Sequence, residues 1–227
     1  MSGRIGHAVI MAAGRGQRMM PATQYMPKAM VPYLESTLIA RGIEKLRPAI
    51  DHIHVTVGYK GAMLAAHLIE HQVTSIHNTE GRPNSWWLHN TLLSQLDEPV
   101  FVLTCDNVTD IDFAELADDY FALGAPPCLL VPVAPVAGLE GDFIFHDNQV
   151  ITRLTRDEPA PVYACGIQVL NPARISRATA PNGDFNAIWT ELMARRELLV
   201  ARVQPRRWYS VDTPEHLDRA IERMSGD

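Results

Sequence analysis

Cysteine is scarce in this chain, and long apolar runs are missing. Cys105, Cys128 and Cys165 are the only three cysteines in 227 residues, far apart and without a Cys-x-x-Cys pair. So sparse and odd a set argues against a disulfide framework or a structural zinc and fits a reducing compartment. Each cysteine lies in an apolar run, where a thiol is expected as buried filler. Nothing before the first strand resembles a secretory leader, and no segment has the roughly 18 consecutive apolar residues of a membrane span. The expectation is therefore a cytoplasmic protein with no membrane partner. Positive charge is short as well: 20 Lys and Arg face 26 Asp and Glu, a net charge of −6. That balance excludes a general nucleic-acid binder but leaves room for a local basic pocket. There are no repeats or low-complexity tracts, and the Pro/Gly-rich loop at 134–140 is too short to link two domains. The nine histidines form no spaced metal motif; His52 and His54 alternate along an apolar run and read as structural.

What the chain does have is 47% hydrophobic residues, enough for one sizeable core. Strand and helix patterns alternate, which predicts an α/β sheet with crossover helices. Strands are expected at 7–11, 52–57, 73–77, 99–104, 128–133, 163–170 and 197–203, and helices at 37–46, 62–70, 86–96, 111–123 and 186–195. Residues 141–145 and 150–154 flank Asp147-Asn148, a hairpin signal. A last helix opens at Thr213-Pro214-Glu215, with Thr as its cap and Pro in the first turn. The second half is more antiparallel in character than the first.

The most informative stretch is residues 12–32, AAGRGQRMMPATQYMPKAMVP, which follows the strand at 7–11. Small residues let backbone N–H groups approach an anion, and Arg15, Arg18 and Lys28 supply countercharge, so the stretch reads as a triphosphate site. It is not a dinucleotide fingerprint, because Met19 stands where the third glycine would be, nor a P-loop, because no Gly-Lys-Ser/Thr closes it. Asp106 follows the strand at 99–104, and an Asp at the carboxyl end of a central strand points into the crevice where α/β sheets bind ligands.

Taken in order, Ala12-Ala13-Gly14-Arg15-Gly16-Gln17-Arg18, Pro21-Ala22-Thr23 and Pro27-Lys28-Ala29-Met30-Val31-Pro32 resemble the signature of the nucleotidyltransferases that make nucleotide sugars and CDP-alcohols. Gln17 departs from it, since Ser or Thr is usual there. The resemblance spans nearly the whole chain. It implies a Rossmann-like nucleotidyltransferase (GT-A-like) fold, three-layer α/β/α with a mixed, mainly parallel central sheet. It also implies a single domain over 1–227, with an NTP-binding half at about 1–125 and an acceptor-binding half at about 126–227. The implied partners are an NTP and a phosphorylated small molecule, in nucleotide-sugar biosynthesis of the kind that serves cell-envelope polysaccharide, with Mg²⁺ as cofactor and a homodimer as a possible assembly.

In the implied reaction the acceptor phosphate attacks the α-phosphate and expels pyrophosphate, so catalysis is positioning plus charge neutralisation. Carried over residue by residue, Arg18 and Lys28 are the catalytic cations. Ala12, Ala13, Gly14, Arg15 and Gly16 hold the nucleotide together with Arg18, Lys28 and Asp106. Asp106 and Asp212 are the metal ligands. Asp212 lies in Val211-Asp212-Thr213-Pro214-Glu215, which matches the CMP-sugar and CDP-alcohol version of the motif; sugar enzymes place the ligand two positions earlier, where this chain has Ser210. Asp110 and Asp112 are expected to cap a helix.

The acceptor stays open. The glycine turn and the Glu-Lys-Pro of sugar enzymes are replaced by Glu80-Gly81-Arg82-Pro83-Asn84 and Asp157-Glu158-Pro159. Asn84-Ser85-Trp86-Trp87 looks like the phosphocholine cytidylyltransferase branch, where adjacent tryptophans would face a quaternary ammonium. Tyr163-Ala164-Cys165-Gly166-Ile167-Gln168-Val169-Leu170 looks like a sugar-enzyme strand. Candidate acceptor residues are Arg82, Asn84, Trp86, Trp87 and Arg156; Lys60 and Arg153 are further basic candidates. A sugar 1-phosphate is the leading acceptor, phosphocholine the runner-up, and a non-catalytic nucleotide-sensing domain the third reading.

Overall fold

The computed structural model describes residues 3–181 and 183–224. The first half contains β1 (His7–Ala12), β2 (Pro32–Tyr33), β3 (Ser36–Thr37), α1 (Leu38–Leu46), β4 (His52–Val57), α2 (Gly61–Glu70), β5 (Ser75–Asn78), α3 (Trp87–Asn90), β6 (Val100–Thr104), β7 (Asn107–Thr109) and α4 (Phe113–Ala122). The second contains β8 (Cys128–Val133), β9 (Phe143–Asp147), β10 (Val150–Thr155), β11 (Tyr163–Leu170), α5 (Pro172–Ala178), α6 (Phe185–Ala194), β12 (Leu198–Val200), β13 (Trp208–Ser210) and α7 (Pro214–Met224).

Nine strands form one sheet in the order β5-β4-β1-β6-β11-β8-β12-β10-β9. The pairings leave β11 and β10 running against the other seven strands, so the sheet is mixed and mainly parallel. Side chains alternate across it and split the core in two. Ala8, Ile10, Phe101 and Leu103 face α1, α2 and α4, with Ile39, Ile43, Leu64, Leu68 and Leu116. Val9, Val100 and Val102 face α3, α5 and α6, with Trp87, Ile175, Ile188 and Leu192. Two apolar faces covered by two sets of helices make the three layers. A third cluster, Met19, Val31, Tyr33, Leu38, Val108, Tyr209, Val211 and Ala220, packs α7 and the β7–β13 ribbon against the loop that follows β1.

Local chemistry sets the element ends. Thr37, Asp112, Asn171 and Asp184 each accept a hydrogen bond from a first-turn N–H of α1, α4, α5 and α6. Thr213 Oγ1 accepts from His216 N at 3.2 Å and caps α7. The β9–β10 turn puts Asn148 and Gln149 at φ 48° and 65°, the left-handed pair a tight hairpin requires. The helix expected over 86–96 is broken: Thr91 is extended, donates to Trp87 O at 2.8 Å and accepts from Leu93 N at 3.3 Å, leaving α3 and a separate 3₁₀ turn, Leu92–Gln95.

His52 and His54 belong to a polar row crossing β1, β4 and β5. His7 Nδ1 lies 3.0 Å from His54 Nε2, His54 Nδ1 lies 2.7 Å from Ser75 Oγ, and Ser75 Oγ lies 2.7 Å from His77 Nε2. His52 stacks on His7 with ring centroids 4.6 Å apart.

Candidate active site

β1 and β6 are parallel neighbours, so the chain leaves both at the same sheet edge, and the loop after β1 meets the Asp106 turn there. Cys105 N donates to Met11 O at 3.0 Å and fixes that turn beside β1. From the β4 side, Tyr59 N donates to Ala13 O at 3.1 Å. A Cβ on Gly58 would lie 2.5 Å from the same oxygen, which is why glycine stands there.

The loop then turns at Gly16, whose φ of 63° favours glycine. A Cβ there would also lie 2.7 Å from Lys28 Cβ, so the glycine lets the Lys28 stem pass. Thr23 Oγ1 closes the turn by donating to Gly16 O at 2.8 Å, and Tyr59 OH donates to Thr23 O at 3.0 Å. Asp212 comes from the far end of the chain. β13 pairs with β7, Ser210 opposite Asn107, and Val211 N donates to Asp106 O at 3.0 Å. Trp208 Nε1 donates to Asn107 Oδ1 at 2.6 Å and locks the ribbon.

These elements converge on Lys28, which is only 8% exposed. Its Nζ donates to Asp106 Oδ2 at 2.5 Å and to Asp212 Oδ1 at 2.7 Å. Arg18 Nη2 reaches the same Asp212 oxygen at 3.0 Å. Burial alone would lower the Lys28 pKa, but Asp106 and Asp212 outweigh it and raise it above the ordinary value. Burial would likewise raise Asp212, yet the charge and hydrogen bond of Lys28, then Arg18, hold it below the usual carboxylate value. The Cys105 thiol is pushed up to about 12, by burial and then by Asp106, so it stays protonated at neutral pH.

Asp106 Oδ1 is buried and accepts no hydrogen bond, while Asp212 Oδ2 has Ser210 Oγ at 3.5 Å. Among the described residues no group of three or more His, Cys, Asp or Glu could hold a metal ion. A cation here would take two carboxylate ligands and complete its shell from water or phosphate, the coordination that suits Mg²⁺.

A cavity of about 580 Å³ opens over this cluster. Ala13, Gly14, Arg15, Gly16, Arg18, Lys28, Asp106 and Asp212 line it, and Arg82 and Asn84 line it with them. A Cβ on Gly14 would meet nothing within 4 Å, so the backbone itself forms that part of the wall. Arg15 rests on the Tyr59 ring, 5.3 Å from its centroid. Ala12 lies just below, buried, its N–H donating to Thr56 Oγ1 at 3.3 Å.

The structure does not bring the other candidates here. Trp87 is 1% exposed and packs in the core. Trp86 is half-buried outside the lining and carries the Arg82 guanidinium 5.4 Å over its ring. Arg156 is engaged by Asp142 at 2.9 Å beside the β9–β10 hairpin, and Arg153 by Glu158 at 2.7 Å. Lys60 occupies a left-handed turn before α2. Asp112 caps α4 as expected, whereas Asp110 lies between Lys45 and Arg207. Lining residues that the sequence reading missed include Thr56, Thr79, Thr104 and Cys105. Thr104 and Thr56 sit at or beside strand carboxyl ends, and the rule that singled out Asp106 would have found them.

The MobA-like NTP transferase domain matches residues 8–126, more than half of the chain. Mannose-1-phosphate guanyltransferase of Debaryomyces hansenii is 28% identical over 182 residues, covering 74% of this chain and 50% of that protein. The chain thus spans about half the length of the curated relatives it matches. In fold it is similar to the inositol-1-phosphate CTP transferase of T. maritima, with TM-score 0.78, 14% identity, and 99% of this chain and 97% of that chain covered. It is also similar to the CTP:phosphocholine cytidylyltransferase of Streptococcus pneumoniae, with TM-score 0.75, 18% identity, and 98% and 100% covered.

Proposed function

We propose that this chain, which belongs to the MobA-like NTP transferase domain family, transfers a nucleoside monophosphate from an NTP to a sugar 1-phosphate. Lys28 carries the reading, a buried ammonium held between Asp106 and Asp212 on the floor of a cavity walled by the Gly14–Gly16 loop. Such a floor suits the meeting of two polyanions.

An acceptor phosphate oxygen forms a bond to the α-phosphorus, and the bond to the bridging oxygen of the leaving pyrophosphate breaks. The barrier is largely electrostatic repulsion. Arg18 neutralises charge that builds on the α-phosphate and the leaving group. Lys28 bridges the α-phosphate and the acceptor phosphate and so holds the reacting pair in line. The backbone at Ala13 and Gly14 takes the nucleoside, with Arg15 free to leave Tyr59 for the phosphates. Asp106 and Asp212 would hold Mg²⁺, which supplies further charge neutralisation when bound.

The tryptophans favour a sugar over a quaternary ammonium: Trp87 is buried and Trp86 already carries Arg82, and among the described residues that line the cavity there is no aromatic ring. The relatives' names make GTP with mannose 1-phosphate the first pair to try.

The test is pyrophosphate release with ATP, CTP, GTP and UTP crossed against sugar 1-phosphates and phosphocholine. Release with a sugar 1-phosphate is expected, with Asp106→Asn lowering turnover by about 100-fold or more. Release with phosphocholine alone would transfer the assignment to a phospho-alcohol acceptor. An undiminished rate in Asp106→Asn would remove that carboxylate from the mechanism.

A further inference from the structure

The position of Lys28 has a consequence for how a divalent cation enters the site. Its Nζ sits 2.5 Å from an oxygen of Asp106 and 2.7 Å from an oxygen of Asp212, the two carboxylates that would ligate the cation. A divalent ion shared by those oxygens needs contacts of about 2.0–2.6 Å and would occupy the same space as the ammonium. The local charges already balance: Lys28 and Arg18 against Asp106 and Asp212. Among the described residues the rest of the lining adds Arg15 and Arg82 and no further carboxylate. A bare dication approaching this floor meets an ammonium in its place and an excess of positive charge around it.

We infer that Lys28 is a built-in placeholder for the divalent cation, so that the nucleotide-free protein excludes metal and the site accepts it only together with a triphosphate. This rests on the nucleotidyltransferase reading of the site. The triphosphate supplies both halves of the exchange: oxygen ligands for the cation and an anion to receive the displaced ammonium. The stem is set for that movement. Lys28 Cβ and Cδ lie against Gly16, 2.7 and 3.3 Å from where a Cβ on that residue would be. The base of the side chain is thus held along the phosphate loop, and the end of the chain is what swings. Asp106 Oδ1 is buried and has no hydrogen-bond partner among the described residues.

The experiment is Mn²⁺ titration followed by electron paramagnetic resonance, with no nucleotide present. Wild type is expected to bind Mn²⁺ only weakly. Lys28→Met removes the charge, keeps the bulk, and should bind about tenfold tighter or better; Lys28→Arg keeps the charge and should stay weak. Adding Asp106→Asn to Lys28→Met should abolish the gain, which ties the ion to this carboxylate. Lys28→Met binding no tighter than wild type would overturn the placeholder. So would wild type binding Mn²⁺ at low-micromolar concentration without nucleotide, a measurement that stands even if Lys28→Met does not fold. None of these readouts requires turnover, so silence in every NTP–acceptor assay would sink the functional reading and leave this result to be judged separately.

Discussion

Acid should unfold this protein through a residue that never touches the active site. His54 lies in the imidazole row on β1, β4 and β5, is 7% exposed, and exchanges its hydrogen bonds with His7 and Ser75. Desolvation, then the neighbouring His7, His77 and His52, lower its pKa from 6.5 to about 4. His7 and His77 are lowered too, mainly by burial, while Glu98 and Asp51 pull His7 partly back. The sign follows from linkage. Between pH 6.5 and about 4 the unfolded chain carries a proton on residue 54 that the folded chain refuses, so stability is intact above that window and falls through it. At about 1.4 kcal/mol per pH unit the ceiling is about 3 kcal/mol, and water reaching the edge of the row brings the expected loss to about 2 kcal/mol. Asp212, lowered from 3.8, gives up its contribution only below that window, so the two effects separate. The assay is urea denaturation of wild type and His54→Gln at pH 7.5, 6.5, 5.5 and 4.5. The wild type should lose about 2 kcal/mol more than the variant across the series. Parallel slopes for the two proteins would refute the argument, whatever their absolute stabilities.

Three further outcomes follow from single contacts. Gly16→Ala puts a Cβ at φ 63° and 2.7 Å from Lys28 Cβ; we predict a loss of about 1–2 kcal/mol and a roughly tenfold rise in the Kd of a fluorescent NTP analogue, and unchanged binding would contradict this. Asp119, 7% exposed, accepts from Arg202 Nε at 2.6 Å and Arg202 N at 2.7 Å; Asp119→Ala should cost about 2–3 kcal/mol in urea melts, and a loss below about 0.5 would show that water replaces both bonds. Trp87→Ala should destabilise by about 3–5 kcal/mol, because Trp87 is 1% exposed, whereas Trp86→Ala should cost clearly less and show itself in substrate KM by freeing Arg82. Equal stability losses for the two would mean that Trp86 is core as well.

The strands at 52–57, 128–133 and 163–170 were legible to the residue because each is either an apolar run or a polar–apolar alternation bounded by turn residues. Arg18, Lys28, Asp106 and Asp212 were legible as a set, and the structure brings all four together. What escaped reading is what a partner decides. β7 and β13 are three residues each, too short for any periodicity, and exist because they pair with one another. α3 stops where it does because the Thr91 side chain competes for backbone groups. Trp86 and Trp87 are neighbours at a helix start, so their side chains diverge; nothing local says which one turns inward. Arg156 could not be assigned without seeing that the hairpin delivers Asp142 to it.

The Lys28 clamp also bears on how the protein is made. The ammonium is gripped by oxygens 78 and 184 positions downstream in sequence. A ribosome must therefore release residue 212 before the second oxygen can arrive, and until then a charged side chain bound for the interior has half its counter-ions. α7, docked through Ala220 and Leu217 beside Met19 and Val31 near the start of the chain, acts as the buckle. A chain that stops short of Asp212 lacks one of the two oxygens that grip Lys28. Closure of the clamp on Lys28 reports that folding has carried as far as the start of α7.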